Sequence, residues 1–105
     1  PPESLMDEEE RAAHQVLEDT VTVYRGVTPY NAKNIRALSW TLDRKTADRF
    51  AHRFGEDGTV YEAQIRKEHI LALFTGRNES EVIVDPRHLE QIMESPEPGF
   101  DMQMT

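Results

Sequence analysis

Glu79-Ser80-Glu81-Val82-Ile83-Val84-Asp85-Pro86 sets two carboxylates two positions apart, directly ahead of three apolar β-formers. In an extended chain, residues i and i+2 point to the same face. The stretch therefore predicts Glu79 and Glu81 on one side, at the mouth of a strand that is otherwise core. Like charges that close repel each other, and a sheet gains nothing from them. A solvated strand start is the plain reading of such a pair. A functional reading needs partners for the two carboxylates elsewhere in the chain. Pro86 ends the strand or marks it as lying near an edge.

Upstream of that strand, residues 70–74 form a short apolar strand, and residues 75–78 are the loop between the two. Residues 59–66 alternate, with Tyr61, Ala63 and Ile65 toward the core, and Lys67-Glu68-His69 is a polar break. Asp43 caps a helix that runs to residue 54. Its apolar stripe is Ala47, Phe50, Ala51 and Phe54, and Gly55 stands where a terminating glycine belongs. Residues 35–42 are a strand with Leu38, Trp40 and Leu42 on the core face, and Ala37, Ser39 and Thr41 on the other.

Residues 20–27 alternate too, and put Val21, Val23, Arg25 and Val27 on one face. An arginine on a valine face needs a partner or an anionic ligand. Gly26 beside it lets something approach the backbone closely, or marks a bulge. At the N-terminus, Ser4 caps a helix over residues 5–18, with Asp7 three residues on and Glu8, Glu9 and Glu10 in the first turns, where the helix dipole favours negative charge. After Pro86, Leu89, Ile92 and Met93 suggest a short helix, and the prolines and glycine after Ser95 suggest a flexible tail.

Strands thus cluster after helices instead of alternating with them. The expected class is α+β: a small mixed, mostly antiparallel sheet with an N-terminal helix and one central helix. A single domain over residues 1–94 with a tail over 95–105 accounts for the 105 residues. The net charge of −8 argues against unassisted binding to nucleic acid or an anionic membrane. With no cysteine, thiolate nucleophiles and thiolate metal sites are excluded. His14, His52, His69 and His88 have no metal-ligand spacing, so no metal is expected. No run reaches membrane-spanning length and the acidic start is unlike a signal peptide, which gives a cytoplasmic expectation.

Three oddities remain on three strands: Arg25, the Ser39/Thr41 pair and the Glu79/Glu81 pair. Val23-Tyr24-Arg25-Gly26, Leu38-Ser39-Trp40-Thr41 and Glu79-Ser80-Glu81-Val82-Ile83-Val84, in this order, resemble the Arg-Ser-Glu class of mono-ADP-ribosyltransferases of the bacterial toxin and phage type. The resemblance covers residues 21–86. It implies an ADP-ribosyltransferase-like fold that binds NAD as substrate and transfers ADP-ribose to a protein acceptor, arginine favoured, with release of nicotinamide.

By the same resemblance, Glu81 stabilises the oxocarbenium-like transition state and holds a ribose hydroxyl, and Ser39 orients that carboxylate. Arg25 anchors NAD, with Gly26, Ser39 and Thr41 nearby in the NAD site. Glu79 assists the incoming guanidinium, and Arg77 and Asn78 lie in the loop that reads the target protein. Two departures stand out: Ser-Trp-Thr replaces the Ser-Thr-Ser of many members, and the interval between Arg25 and Ser39 is short for the family. Water in place of the acceptor gives the alternative of an NAD glycohydrolase. Further alternatives are a non-catalytic interaction domain that binds a basic partner, and a plain structural module.

Overall fold

The structure, a computed structural model, describes residues 7–29, 38–55, 57–75 and 80–96. The described elements run α1 (Glu8–Gln15), β1 (Thr20–Val27), β2 (Ser39–Thr41), α2 (Arg44–Ala51), β3 (Thr59–Arg66), β4 (Ile70–Phe74), β5 (Glu81–Val84) and β6 (Glu90–Glu94). The six strands form one sheet in the order β4-β5-β2-β1-β3-β6. Every pairing is antiparallel, so the mixed component expected from the sequence is absent among the described strands. The class is α+β.

Alternation along the strands places the core. Val21 and Val23 of β1, Ala63 and Ile65 of β3, and Val82 and Val84 of β5 are buried together with Trp40, Ile70, Ala72, Leu73 and Leu89. Burying a Val, Ile or Leu side chain stabilises by roughly 1.5–3 kcal/mol. A second, smaller cluster joins Ala47 and Ala51 of α2 to Val60, with Tyr24 against it. There α2 lies directly on the sheet. A Cβ on Gly26 would sit 1.9 Å from the Ala47 carbonyl oxygen and 2.6 Å from the Ala51 nitrogen. Helix backbone fills the space that a side chain at position 26 would need.

Several boundaries differ from expectation. Ser4 and Leu5 lie outside the described residues. The N-cap is Asp7, in a capping box: its carboxylate accepts from Glu10 N at 2.8 Å, and the Glu10 carboxylate accepts from Asp7 N at 3.1 Å. The helix stops at Gln15 and not at residue 18; Lys67 Nζ donates to the carbonyls of Gln15, its last residue, and of Leu17 just beyond it. The chain must then extend by Thr20 to pair with Arg66. The central helix ends at Ala51 and passes into a 3-10 turn over Arg53–Gly55. The Ala51 carbonyl accepts from Gly58 N instead of continuing the helix. Phe50 is exposed, with the Arg53 guanidinium over its ring at 5.1 Å. The side chain of Phe54 is not among those described.

The second strand is short. Residues 30–37 lie outside the described set, and Leu38, expected in the core, is 56% exposed, whereas Trp40 is buried as expected. The largest correction comes after Pro86. Leu89, Ile92 and Met93 do not form a helix. A 3-10 turn over Pro86–His88, capped by Asp85, leads into β6, which pairs with the outer edge of β3. An edge of unpaired backbone groups is a stronger demand than a weak helical spacing. Nor is Ser95 loose: its N–H donates to the Val60 carbonyl at 2.8 Å, and its hydroxyl accepts from Arg44 Nε at 3.0 Å. Residues 97–105 lie outside the described set.

Candidate functional site

Arg25, the Ser39/Thr41 pair and Glu81 meet at the centre of the sheet, where β2 lies between β1 and β5. The register Ser39↔Ile83, Trp40↔Val82 and Thr41↔Glu81 joins β2 to β5 along its full length. Strand β1 meets β2 at one partner pair, Tyr24↔Thr41. Directly paired residues share a face. One row therefore crosses all six strands: Phe74, Glu81, Thr41, Tyr24, Glu62 and Met93. Ser39, two positions from Thr41, belongs to the same face. Its Oγ donates to Glu81 Oε2 at 2.5 Å. A hydroxyl bonded to a carboxylate at this length is a charge-assisted contact, and it fixes the rotation of the Glu81 head.

Arg25 reaches the pair from the other side. Alternation puts it with the valines of β1, yet its Nη1 donates to the Ser39 carbonyl at 2.8 Å. The guanidinium thus spans the place where β1 and β2 part. Burial pushes the Arg25 pKa below its ordinary value, and Nε is buried with no partner among the described residues. No carboxylate among the described residues pairs with it. A half-dehydrated cation with a donor still to satisfy favours an anionic ligand.

Thr41 frames the site. It is buried, and its hydroxyl accepts from Asp43 N at 3.1 Å and lies 3.5 Å from the Ser80 carbonyl. The same Ser80 carbonyl accepts from Leu42 N at 3.1 Å. Thr41 therefore ties the start of α2 to the residue that precedes Glu81. Ser80 has φ 46°, in the left-handed region that a serine seldom adopts. Extended alternation accordingly stops at Glu81, and the i, i+2 argument does not pass through Ser80. Glu79, Arg77 and Asn78 lie outside the described residues. Gly26 lies beside Arg25, but its bare side is taken up by α2.

The sequence reading missed Glu10. Besides closing the capping box, its carboxylate accepts from Thr75 N at 3.2 Å, at the exit of β4. Only the Asp-x-x-Glu spacing hinted at any role, and that spacing speaks for the helix alone. A second unread feature is the parallel stacking of His69 and His88, whose ring centroids are 3.6 Å apart. No group of three or more metal-ligating side chains occurs among the described residues. No described helix is long and apolar enough to cross a membrane.

Set beside known protein families, curated proteins and solved structures, the chain matches none of them.

Proposed function

We propose that the chain binds NAD and transfers its ADP-ribose to a protein acceptor, arginine favoured, with release of nicotinamide. The observation that carries this reading is the relay Arg25–Ser39–Glu81: guanidinium to the Ser39 carbonyl, Ser39 hydroxyl to the Glu81 carboxylate. The three motif residues of the Arg-Ser-Glu resemblance lie far apart in sequence and come into contact in the fold.

The chemistry suits these groups. The glycosidic bond between nicotinamide and ribose breaks, and its electron pair leaves with nicotinamide, which departs neutral. The ribose carbon becomes oxocarbenium-like, as in glycoside hydrolysis. A carboxylate held in one orientation stabilises such a cation without reorganising, and effects of this kind are worth about 10²–10³ in rate. Glu81 is that carboxylate, with Ser39 as its orienter. Arg25, half-buried and without an acidic partner among the described residues, fits the pyrophosphate of NAD. A nitrogen of the acceptor then forms the new bond to the ribose carbon and gives up a proton, which Glu79 accepts. If water attacks instead, the product is free ADP-ribose.

The deciding experiment incubates the protein with NAD labelled in the nicotinamide ring and compares wild type with Glu81→Gln. Release by wild type and its loss in the variant are expected. Release that survives the substitution would remove Glu81 from the chemistry. No release by wild type would leave the relay without this function.

A further inference from the structure

The N-terminal helix has no buried residue. Ala13, and Leu17 just beyond its end, reach the edge of the core only in part. Eight residues are too few for a stable helix in water without outside support. Polar straps give that support, one from the turn that follows β3 and one from the residue that follows β4. At the C-terminal end, Lys67 Nζ donates to the Gln15 carbonyl at 2.5 Å, and Lys67 N donates to the Asp19 carbonyl at 2.9 Å. At the N-terminal end the strap is Glu10. One oxygen accepts from Asp7 N, closing the helix cap, and the other accepts from Thr75 N.

Thr75 directly follows Phe74, and Phe74 is the cross-strand partner of Glu81. On its other side Glu81 is held by Ser39 and by the pairing with Thr41. Glu81 therefore sits between two strands of unequal support. Strand β2 is interior to the sheet, whereas β4 is at its edge among the described strands. Edge strands fray unless something holds them. The Glu10 carboxylate is placed at the end of the edge strand that adjoins Glu81.

We propose that Glu10 is a positioning residue for NAD cleavage. It pins the exit of β4 and thereby the Glu81 carboxylate, so that α1 acts as a brace for the site and not only as a packing helix. The proposal rests on the NAD reading of the site for its effect on turnover. The brace itself stands on the geometry alone.

The test compares Glu10→Ala with Asp7→Ala. Both weaken the start of α1, but only the first removes the acceptor for Thr75 N. Glu10→Ala is expected to lower kcat for nicotinamide release about tenfold, the scale of a small misplacement of a reacting group, while KM for NAD holds. Asp7→Ala is expected to leave kcat unchanged. Glu10→Gln, with a single carbonyl oxygen, should fall between wild type and Glu10→Ala. Amide hydrogen exchange supplies a readout independent of turnover: Thr75 and Leu42 should exchange faster in Glu10→Ala than in Asp7→Ala. Equal loss of kcat in the two variants, or wild-type kcat in Glu10→Ala, overturns the proposal. If wild type releases no nicotinamide, the NAD reading fails and the effect on turnover with it. Exchange then decides the brace alone, and unchanged rates at Thr75 and Leu42 in Glu10→Ala overturn that as well.

Discussion

Ser39 Oγ lies 2.5 Å from Glu81 Oε2, across a strand pair in which Ser39 and Glu81 are two register steps apart on one face. The hydroxyl can hold the carboxylate in one rotamer only while Glu81 keeps an oxygen that accepts strongly. Glu81→Gln weakens that contact and removes the charge. We expect nicotinamide release to fall by about 10²–10³, and Ser39→Ala to cost about tenfold by letting the carboxylate turn. Both side chains are half-buried, so circular dichroism and the melting temperature should stay near wild type.

Arg25 tests whether an anion completes the site. Burial of its guanidinium is unfavourable without a ligand, so removing it should do little harm to the fold. Arg25→Met is expected to hold the unfolding free energy within about 1 kcal/mol of wild type while NAD binding is lost. Arg25→Lys keeps the charge but not the planar fork, and should bind NAD weakly. Urea titration and calorimetric binding separate the two quantities. A large loss of stability in Arg25→Met would show that the residue is structural.

On the proposed reading, Glu79 selects the acceptor. Glu79→Gln should spare hydrolysis of NAD and remove modification of arginine-containing substrates. Measuring free ADP-ribose and acceptor labelling in one reaction checks this. Equal loss of both products would undo the separate role given to Glu79.

At Gly26 even one methyl group has no room. Ala47 O and Ala51 N lie 1.9 Å and 2.6 Å from where a Cβ would be placed, and both belong to helix backbone. Gly26→Ala should destabilise the domain by about 3 kcal/mol, at the upper end for overpacking. The midpoint of urea unfolding reads this directly, and a midpoint near wild type would mean that α2 shifts freely.

Acid should weaken the end of β5. Hydrogen bonds from the Arg87 side chain to Asp85, at 2.8 Å and 3.0 Å, hold this carboxyl well below the usual carboxylate range. Because its pKa is depressed in the folded state, the contribution is present above the unfolded-state value of about 3.9 and is lost as pH falls below it. Arg87 is 83% exposed, so solvent screens the pair and the effect is small. Asp85→Asn should flatten the decline of the urea midpoint below pH 4. The same slope in both proteins would assign the acid sensitivity elsewhere.

Much of this fold was legible because alternation carries it. Val21, Val23, Ala63, Ile65, Val82 and Val84 fall on the core side, as period-2 spacing requires. Asp43 caps α2 as read from the sequence. Strand β6 was not legible, since Leu89, Ile92 and Met93 fit a helical spacing equally well. What decides is the open edge of β3, which no local pattern contains. Arg25 was legible as an anomaly on a valine face, whereas Ser39 and Glu81, each ordinary on a strand by itself, were singled out only by their order with it and by the resemblance; the contacts that join the three are long-range. Glu10 was hidden because its partner is a main-chain N–H sixty-five positions away, and backbone donors leave no mark on a sequence. Leu38 misled because its apolar side chain matched the alternation while its strand begins only at Ser39.

Strand β2 takes its partners from β5 at Ser39, Trp40 and Thr41, but from β1 only at Thr41. The orienting serine and the carboxylate thus ride on one frame, and the cation rides on the other. On the proposed reading, a movement that widens or narrows the space between β1 and β2 acts first on how Arg25 grips a ligand, and reaches Ser39 through the Arg25 bond to its carbonyl. On the proposed reading, variants of β1 act first on affinity and variants of β5 first on rate.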